Sequence, residues 1–363
     1  MNRSIRHIFL TATTACGLWL TPATAQTTAT TDPVGAMSFE LAAGADNPIA
    51  VPFRQPTVSD LVVSQVNDSG NNTFMFSFSD ANFTEDQYSA GYYLQFASGP
   101  AAGEYYTIID NGTGSVSVDS IGSNLASVAI GDKAFIAKYW TLSELFPPSD
   151  QGPSGPLVKS TGNLLFQRGS EVLMPDVGGV GINLSASAIY FVKSDGWYQS
   201  ISGFPSADDV ALLPDSFIFI RQPSSAGSRM LTVAGSVPMS AQTTFLATNT
   251  GESQDNFVSY SLPDETTLGE LDLGGAFIGS SGNLLFQRKD ELFLYPEDRT
   301  INPSAGRIFF RVNGEWRESK TGFPNADSVT IGPGTSFIIR KAATSDGSSS
   351  KWTYTPTYIS EMN

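Results

Sequence analysis

Residues 162–168, Gly-Asn-Leu-Leu-Phe-Gln-Arg, recur identically as residues 282–288. A chain that spells one segment twice is committed to building one framework twice. The match runs on in both directions. Downstream, Ile189-Tyr190-Phe191-Val192 answers to Ile308-Phe309-Phe310-Arg311, Trp197 to Trp316, and Gly203-Phe204-Pro205 to Gly322-Phe323-Pro324. Ala207-Asp208 then answers to Ala326-Asp327, and Ile218-Phe219-Ile220-Arg221 to Phe337-Ile338-Ile339-Arg340. Upstream, Thr141-Leu142-Ser143-Glu144-Leu145 answers to Thr267-Leu268-Gly269-Glu270-Leu271. The offset is 126 residues at Leu142, 120 at Gly162 and 119 at Trp197. The first copy's surplus falls around 147–156, a Pro/Gly/Ser-rich stretch where a surface loop lengthens at little cost. Two copies are too few for a solenoid and suit either two β domains or two halves of one.

The texture inside this frame is strand. Phe74, Phe76 and Phe78 alternate with Met75 and Ser77, the period of a half-buried strand, and Tyr92, Leu94 and Phe96 repeat it. Residues 104–110 lead through Asn111-Gly112 into 115–119 as a hairpin does. Asp195-Gly196 before Trp197 and Asn313-Gly314 before Trp316 mark a turn in each copy. Gly169-Ser170, flanked by Arg168 and Glu171, reads as a two-residue hairpin turn with a cross-strand ion pair, as does Lys289-Asp290 between Arg288 and Glu291. Helix is expected only as short turns, for example over 141–146. The expected fold is all-β: a sandwich- or barrel-like N-terminal domain over 26–139, then tandem-duplicated β units over 140–262 and 263–363.

Residues 1–25 read as a secretory signal peptide, with Arg3 and Arg6 at its head, an apolar stretch over 8–20 and Ala23-Thr24-Ala25 as a small-x-small cleavage site. Lipidation of Cys16 is the competing reading. Thr13-Thr14-Ala15 before it lacks the large aliphatic residue such a site carries, and the apolar run continues through Leu18, Trp19 and Leu20. No later segment holds about 18 consecutive apolar residues, so no transmembrane helix is expected. The chain is expected to be secreted, periplasmic or at the cell surface.

Composition now narrows the chemistry. The only His (His7) and the only Cys (Cys16) both lie in the leader. The remainder has no imidazole for a Ser-His-Asp triad and none of the usual ligands for zinc, haem or iron–sulfur clusters. No disulfide is available, so packed cores must hold the fold. The 35 acidic against 20 basic residues give a net charge of −15, and −17 once Arg3 and Arg6 leave with the leader. Such a charge repels nucleic acid and anionic lipid.

Carboxylates are the main acid/base groups left. Asp208 and Asp327 follow the Gly-Phe-Pro element, and Glu171 matches Glu291. A position filled in both copies fits a shared structural role better than a single active site, and no catalytic residue is assigned. Ser348-Ser349-Ser350-Lys351 and Lys320-Thr321-Gly322 match two motifs of penicillin-recognising enzymes. Their order is reversed and the Ser-Asp-Asn element is missing. Residues 67–72 and 110–112 offer oxygen ligands without the spacing of a calcium loop; no metal or cofactor is expected. The remaining candidates are aromatic. Trp197, Trp316, Tyr93 and Tyr106 are the candidate binding residues, because rings left exposed on a β surface stack on sugars while buried ones fill a core. In the pairs Tyr92-Tyr93 and Tyr105-Tyr106 one ring must face each side of its strand.

The run Gly91-Tyr92-Tyr93-Leu94-Gln95-Phe96, with Gly99, Gly103, Tyr105-Tyr106-Thr107-Ile108, Gly131-Asp132 and Phe135-Ile136, resembles a small β module of phage tail and bacterial surface proteins. With residues 140–147 and the duplicated Trp…Gly-Phe-Pro-x-Ala-Asp…Ile-x-Arg element, the chain resembles an uncharacterised family of exported bacterial β-rich proteins with a duplicated C-terminal half. That resemblance implies export and framework residues, and it carries over no catalytic group. The expectation is therefore an exported, non-catalytic binding or structural protein. Its expected partner is an extracellular glycan, an envelope polymer or another copy of itself, made easy by exposed strand edges. The alternative is a carbohydrate-active hydrolase with a carboxylate pair between the repeats.

Overall fold

Period-2 patterning does what its geometry demands. In the strand Thr73–Phe78 of the computed structural model, Phe74, Phe76 and Phe78 are buried and the residues between them half-buried. Residues 32–182, 185–296, 299–304 and 306–361 are described; the leader expected over 1–25, with His7 and Cys16, lies outside them. Six strands close a barrel in the order Thr57–Gly70, Thr73–Phe78, Ser115–Asp119, Tyr105–Asn111, Tyr92–Phe96 and Lys133–Lys138. The long first strand pairs with Lys133–Lys138 along its start and with Thr73–Phe78 along its end, and irregularities at Val63/Gln65 and Asp68/Gly70 help it bend round. Closure leaves the barrel no free edge. Phe76, Phe96 and Tyr106 meet inside it, the two Phe rings edge to face at 5.1 Å.

The rest is two five-stranded antiparallel sheets of one design. The first runs Gly196–Gln199, Ala186–Lys193, Glu171–Pro175, Ile218–Arg221, Asp46–Ile49. The second runs Glu315–Glu318, Arg307–Val312, Glu291–Leu294, Ser336–Lys341, Gln254–Ser259. Two-stranded ribbons match as well: Val34–Leu41 with Arg229–Ser236 answers to Gln242–Leu246 with Ser350–Tyr354. Trp140–Thr141 with Ala211–Leu212 answers to Thr266–Thr267 with Thr330–Ile331. The expected helical turn forms at Leu142–Leu145, capped by the Thr141 hydroxyl, and Thr267 bonds Glu270 in the same way.

These pairings redraw the boundaries expected from sequence. Residues 34–49 belong to the first repeat's strands, not to the barrel that follows them. Their partners prove the equivalence. Arg221 holds Asp46 through two bonds of 2.6 and 2.8 Å, and Arg340 holds Asp255 at 2.6 and 2.9 Å. Asn47 accepts from the Ala42 N–H as Asn256 does from Ala247. Asp46 and Asp255 lie 209 residues apart and Thr141 and Thr267 only 126, so 83 extra residues separate the elements of the first copy. They are the barrel, inserted where the second copy has a short link over 260–265. Ala50, Phe217, Phe257, Phe293 and Ile338 pack the two sheets together, and Asp32–Asn363 form one unit.

One buried site differs between the copies. In the second sheet the Lys341 ammonium donates to Asp290 and to the Ala276 carbonyl, with both side chains fully enclosed. In the first the same places hold Gln222 and Ser170: Ser170 donates to Gln222 at 2.6 Å, and Gln222 donates to the Pro156 carbonyl at 2.7 Å. An ion pair in one copy is a neutral hydrogen bond in the other.

The turn at Asn313-Gly314 forms as expected, whereas in the first copy the turn residues are Ser194 and Asp195, one place earlier than expected, and Gly196 opens the strand. Asn313 and Gly314, with φ of 53° and 87°, supply the left-handed backbone that a two-residue hairpin requires. Gly169-Ser170 and Lys289-Asp290 are not hairpin turns. The chain before them folds as short 3-10 turns, Leu165–Gln167 and Leu285–Gln287, and the strands begin only at Glu171 and Glu291. Among the described residues no helix is long and apolar enough to cross a membrane.

Candidate functional site

The identical heptapeptide builds one rigid knuckle on each repeat. Its polar members hold the backbone. The Gln167 side-chain oxygen accepts from the Leu164 N–H at 3.3 Å, and its carbonyl accepts from the Thr161 N–H at 2.8 Å. A Cβ at Gly162 would sit 2.2 Å from the Gln167 side-chain oxygen and displace it from this bond. Arg168 donates Nε to the Asn163 carbonyl at 3.2 Å and Nη1 to Glu171 at 3.0 Å, while its guanidinium covers Phe191. The second copy repeats each contact. Leu284 donates to Gln287 at 3.2 Å, and Arg288 bonds the Asn283 carbonyl at 3.2 Å and Glu291 at 3.1 Å while covering Phe310. The expected Arg168–Glu171 ion pair thus forms, but within a loop three residues apart and not across two strands, and Arg288 with Glu291 repeats it.

The Asn163 and Asn283 side-chain oxygens are buried and unpartnered among the described residues, and scaffolding accounts for Gly, Gln and Arg. It does not account for Leu-Leu-Phe. All six of these apolar side chains are more than half exposed, with Phe166 at 82% and Phe286 at 83%. Isolated exposed apolar residues are ordinary, but three in a row on a braced loop, twice, form a surface feature. The copies have drifted even within their shared strands, where Tyr190 faces Phe309 and Val192 faces Arg311 in the alignment. The exposed triplet has not drifted.

Burying three such side chains is worth about 6 kcal/mol at roughly 2 kcal/mol each. Association itself costs on the order of 4–15 kcal/mol, so one knuckle alone binds weakly. Two on one body gain from each other when the partner is repetitive. The chemistry available is apolar contact and ring stacking, with no group that transfers protons.

The residues expected to bind lie elsewhere. Trp197, Trp316, Tyr93 and Tyr106 are at most 3% exposed and present no ring face to a ligand. Each has a covering that sequence does not reveal. Tyr106 fills the barrel, and Tyr93 packs outside it with Phe135, Ala137 and Tyr139 beneath the first repeat. Trp197 packs on Phe146 and Trp316 on Phe277.

The carboxylates serve the frame. Asp208 accepts from the Trp197 N–H at 2.9 Å and Asp327 from the Trp316 N–H at 2.8 Å, each bracing a turn. Those hydrogen bonds, first among them the one from Trp316, hold the Asp327 carboxyl below the usual range. Glu171 and Glu291 are taken by arginines. Lys351 pairs with Glu104 at 2.6 Å, and the Ser348 hydroxyl bonds Asp346, so neither takes up a catalytic pairing. In the oxygen-rich loops, Asp68 accepts from Gly70 and Asn111 is occupied by Tyr88 and Thr84. Among the described residues no group of three or more His, Cys, Asp or Glu is placed to hold a metal.

Asp215 is the exception among carboxylates. It accepts from the Tyr105 hydroxyl at 2.7 Å, at the junction of the barrel and the two repeats. Burial raises its pKa, against the lowering effect of the Tyr105 bond. A raised folded value means its share of stability is present below the unfolded pKa and is lost as pH rises through the folded one. Asp215→Asn keeps an acceptor for Tyr105 and removes the charge. Denaturation across pH should show wild-type stability falling above about pH 4 relative to the variant; parallel curves would place the charge in solvent.

The described residues therefore make an all-β protein with two identical apolar loops and no assembled catalytic cluster. No family model matches the chain, and no curated protein or solved structure matches it either.

Proposed function

We propose that this chain is an exported, non-catalytic binding or structural protein of the cell surface or extracellular space. It meets a repetitive partner, an envelope polymer or extracellular glycan, through its two Leu-Leu-Phe knuckles. The observation that carries this reading is the identical exposed triplet, held in both copies by the same Gln and Arg side chains of an identical heptapeptide. Phe166 and Phe286 supply the exposed ring faces that stack on sugars, and the leucines flank them with apolar surface. The resemblance to exported β-rich proteins supports the location. The hydrolase alternative finds no support in Asp208 and Asp327, whose oxygens brace turns.

The test is incubation of the purified chain with polysaccharides and cell-wall fractions, measuring retention and released reducing ends together. Retention without release is the expected result. Release abolished by one carboxylate substitution would replace this reading with the enzyme. Concentration-dependent assembly with no retention on any material would replace it with self-association.

A further inference from the structure

A cleft of about 190 Å³ opens between the barrel, the first repeat and the segment that joins them. Its walls are mainly apolar, with Phe53, Tyr139, Trp140, Met174 and Leu212 among them. The chain as a whole is strongly acidic, yet among the described residues no Asp or Glu lines this cleft, and the two charged residues that do are Arg54 and Lys138. Lys138 is neutralised by Glu144. Arg54 is not matched in the same way.

The Arg54 side chain is 10% exposed, and among the described residues its Nε and Nη1 meet no hydrogen-bond acceptor. Its one ionic contact is from Nη2 to Asp32 at 3.4 Å, an oxygen that also accepts from the Thr57 N–H at 3.0 Å. Arginines with more access to solvent are better matched than Arg54. Arg221, Arg307 and Arg340 each hold a carboxylate through two bonds of 3.0 Å or less. Arg54 instead lies over the Phe135 ring, 4.0 Å from its centre, with donors left over. A buried cation with unmet donors is costly to keep and is relieved by an anion. On the same cleft, the Tyr93 hydroxyl makes no hydrogen bond among the described residues. It is a second unused donor.

We propose that this cleft binds a small organic acid, its carboxylate on Arg54 and the Tyr93 hydroxyl and its apolar body against the aliphatic and aromatic walls. A carboxylate matches a guanidinium in plane and charge, and the walls select an acid with a hydrocarbon body over a bare anion. Tyr93 thus belongs to a binding site through its hydroxyl, not through its ring face. The site is separate from the knuckles and stands whether or not they bind a polymer.

The probes are benzoate and hexanoate, with benzyl alcohol, hexanol and inorganic phosphate as controls, titrated calorimetrically into the purified chain. Both acids are expected to bind, and both alcohols at least about tenfold more weakly, the usual cost of losing a charge-assisted bond. Phosphate binding as tightly as the acids would show a plain anion site and overturn the apolar half of the proposal. Alcohols binding as tightly as the acids would overturn the role of Arg54, as would no acid binding up to about 10 mM. Arg54→Gln should abolish acid binding, with melting recorded beside it because the change also takes the ionic partner from Asp32 and the cation from the Phe135 ring. Should that variant fail to fold, Tyr93→Phe removes a hydroxyl that no described residue bonds, and it should weaken acid binding with unchanged melting. Unweakened binding in Tyr93→Phe and in a folded Arg54→Gln contradicts the proposal.

Discussion

Changing Asp290 to Ser alone should destabilise the folded chain by about 3–5 kcal/mol, the cost of leaving one member of a buried ion pair without its partner. Lys341 would keep only the Ala276 carbonyl in a position 1% exposed. Lys341→Gln should cost less, because the Asp290 carboxylate retains N–H donors from Ile278 at 2.7 Å and Ala342 at 2.8 Å. The double change Asp290→Ser with Lys341→Gln installs the pair that the first repeat already uses at Ser170 and Gln222. It should recover much of the loss, giving a coupling of about 2–3 kcal/mol in a urea-denaturation cycle. The recovery follows from the backbone around the site, which is matched. Val158 donates to Ser170 at 2.8 Å where Ile278 donates to Asp290, and Pro156 accepts from Gln222 where Ala276 accepts from Lys341. Additive single effects would mean that the second repeat cannot accommodate the first repeat's solution.

Trp197→Ala and Trp316→Ala should each cost about 3–5 kcal/mol, the range for deleting a large buried aromatic. Trp197 should lie at the upper end. Its indole N–H donates to the Phe146 carbonyl at 3.0 Å, and that acceptor would be stranded beside a side chain that is itself fully buried. Trp197→Phe keeps much of the packing and should lose about 1–3 kcal/mol from the orphaned carbonyl. Denaturant midpoints measure all three. A Trp variant of unchanged stability that no longer bound a polymer would return these residues to the surface role expected of them from sequence, against their burial.

The duplication and the strand texture were legible because both are local. Identity of residues 162–168 with 282–288 needs no geometry, and alternation at Phe74, Phe76 and Phe78 states its own period. The barrel's position as an insertion was not legible. Residues 34–49 share little with 242–259 beyond Asp46-Asn47 and Asp255-Asn256, and their membership of the first repeat is a matter of pairing with strands about 170–200 residues away. The knuckles were half legible. Three consecutive apolar residues beside a strand read as core, yet Leu-Leu-Phe lacks both the alternation and the β-branching of a strand, and that was the available signal. What sequence lacked was the fold-back of Gln167 and Gln287 that lifts the triplet off the sheet. The tyrosine pairs misled for the opposite reason: one ring per pair does face outward, but the repeats cover that face.

Binding through two weak, identical contacts has a distinctive dependence on each of them. Retention on the same envelope polysaccharide should be compared for wild type, Phe166→Ser, Phe286→Ser and the double variant, with thermal melting recorded for all four. Because both side chains project into solvent, all four should melt within a narrow range, on the order of 0.5 kcal/mol of one another. Each single variant should lose at least about tenfold in apparent affinity, since avidity needs both contacts, and the double variant should not be retained. A folded double variant retained as well as wild type would contradict the assignment of the knuckles as the binding surface.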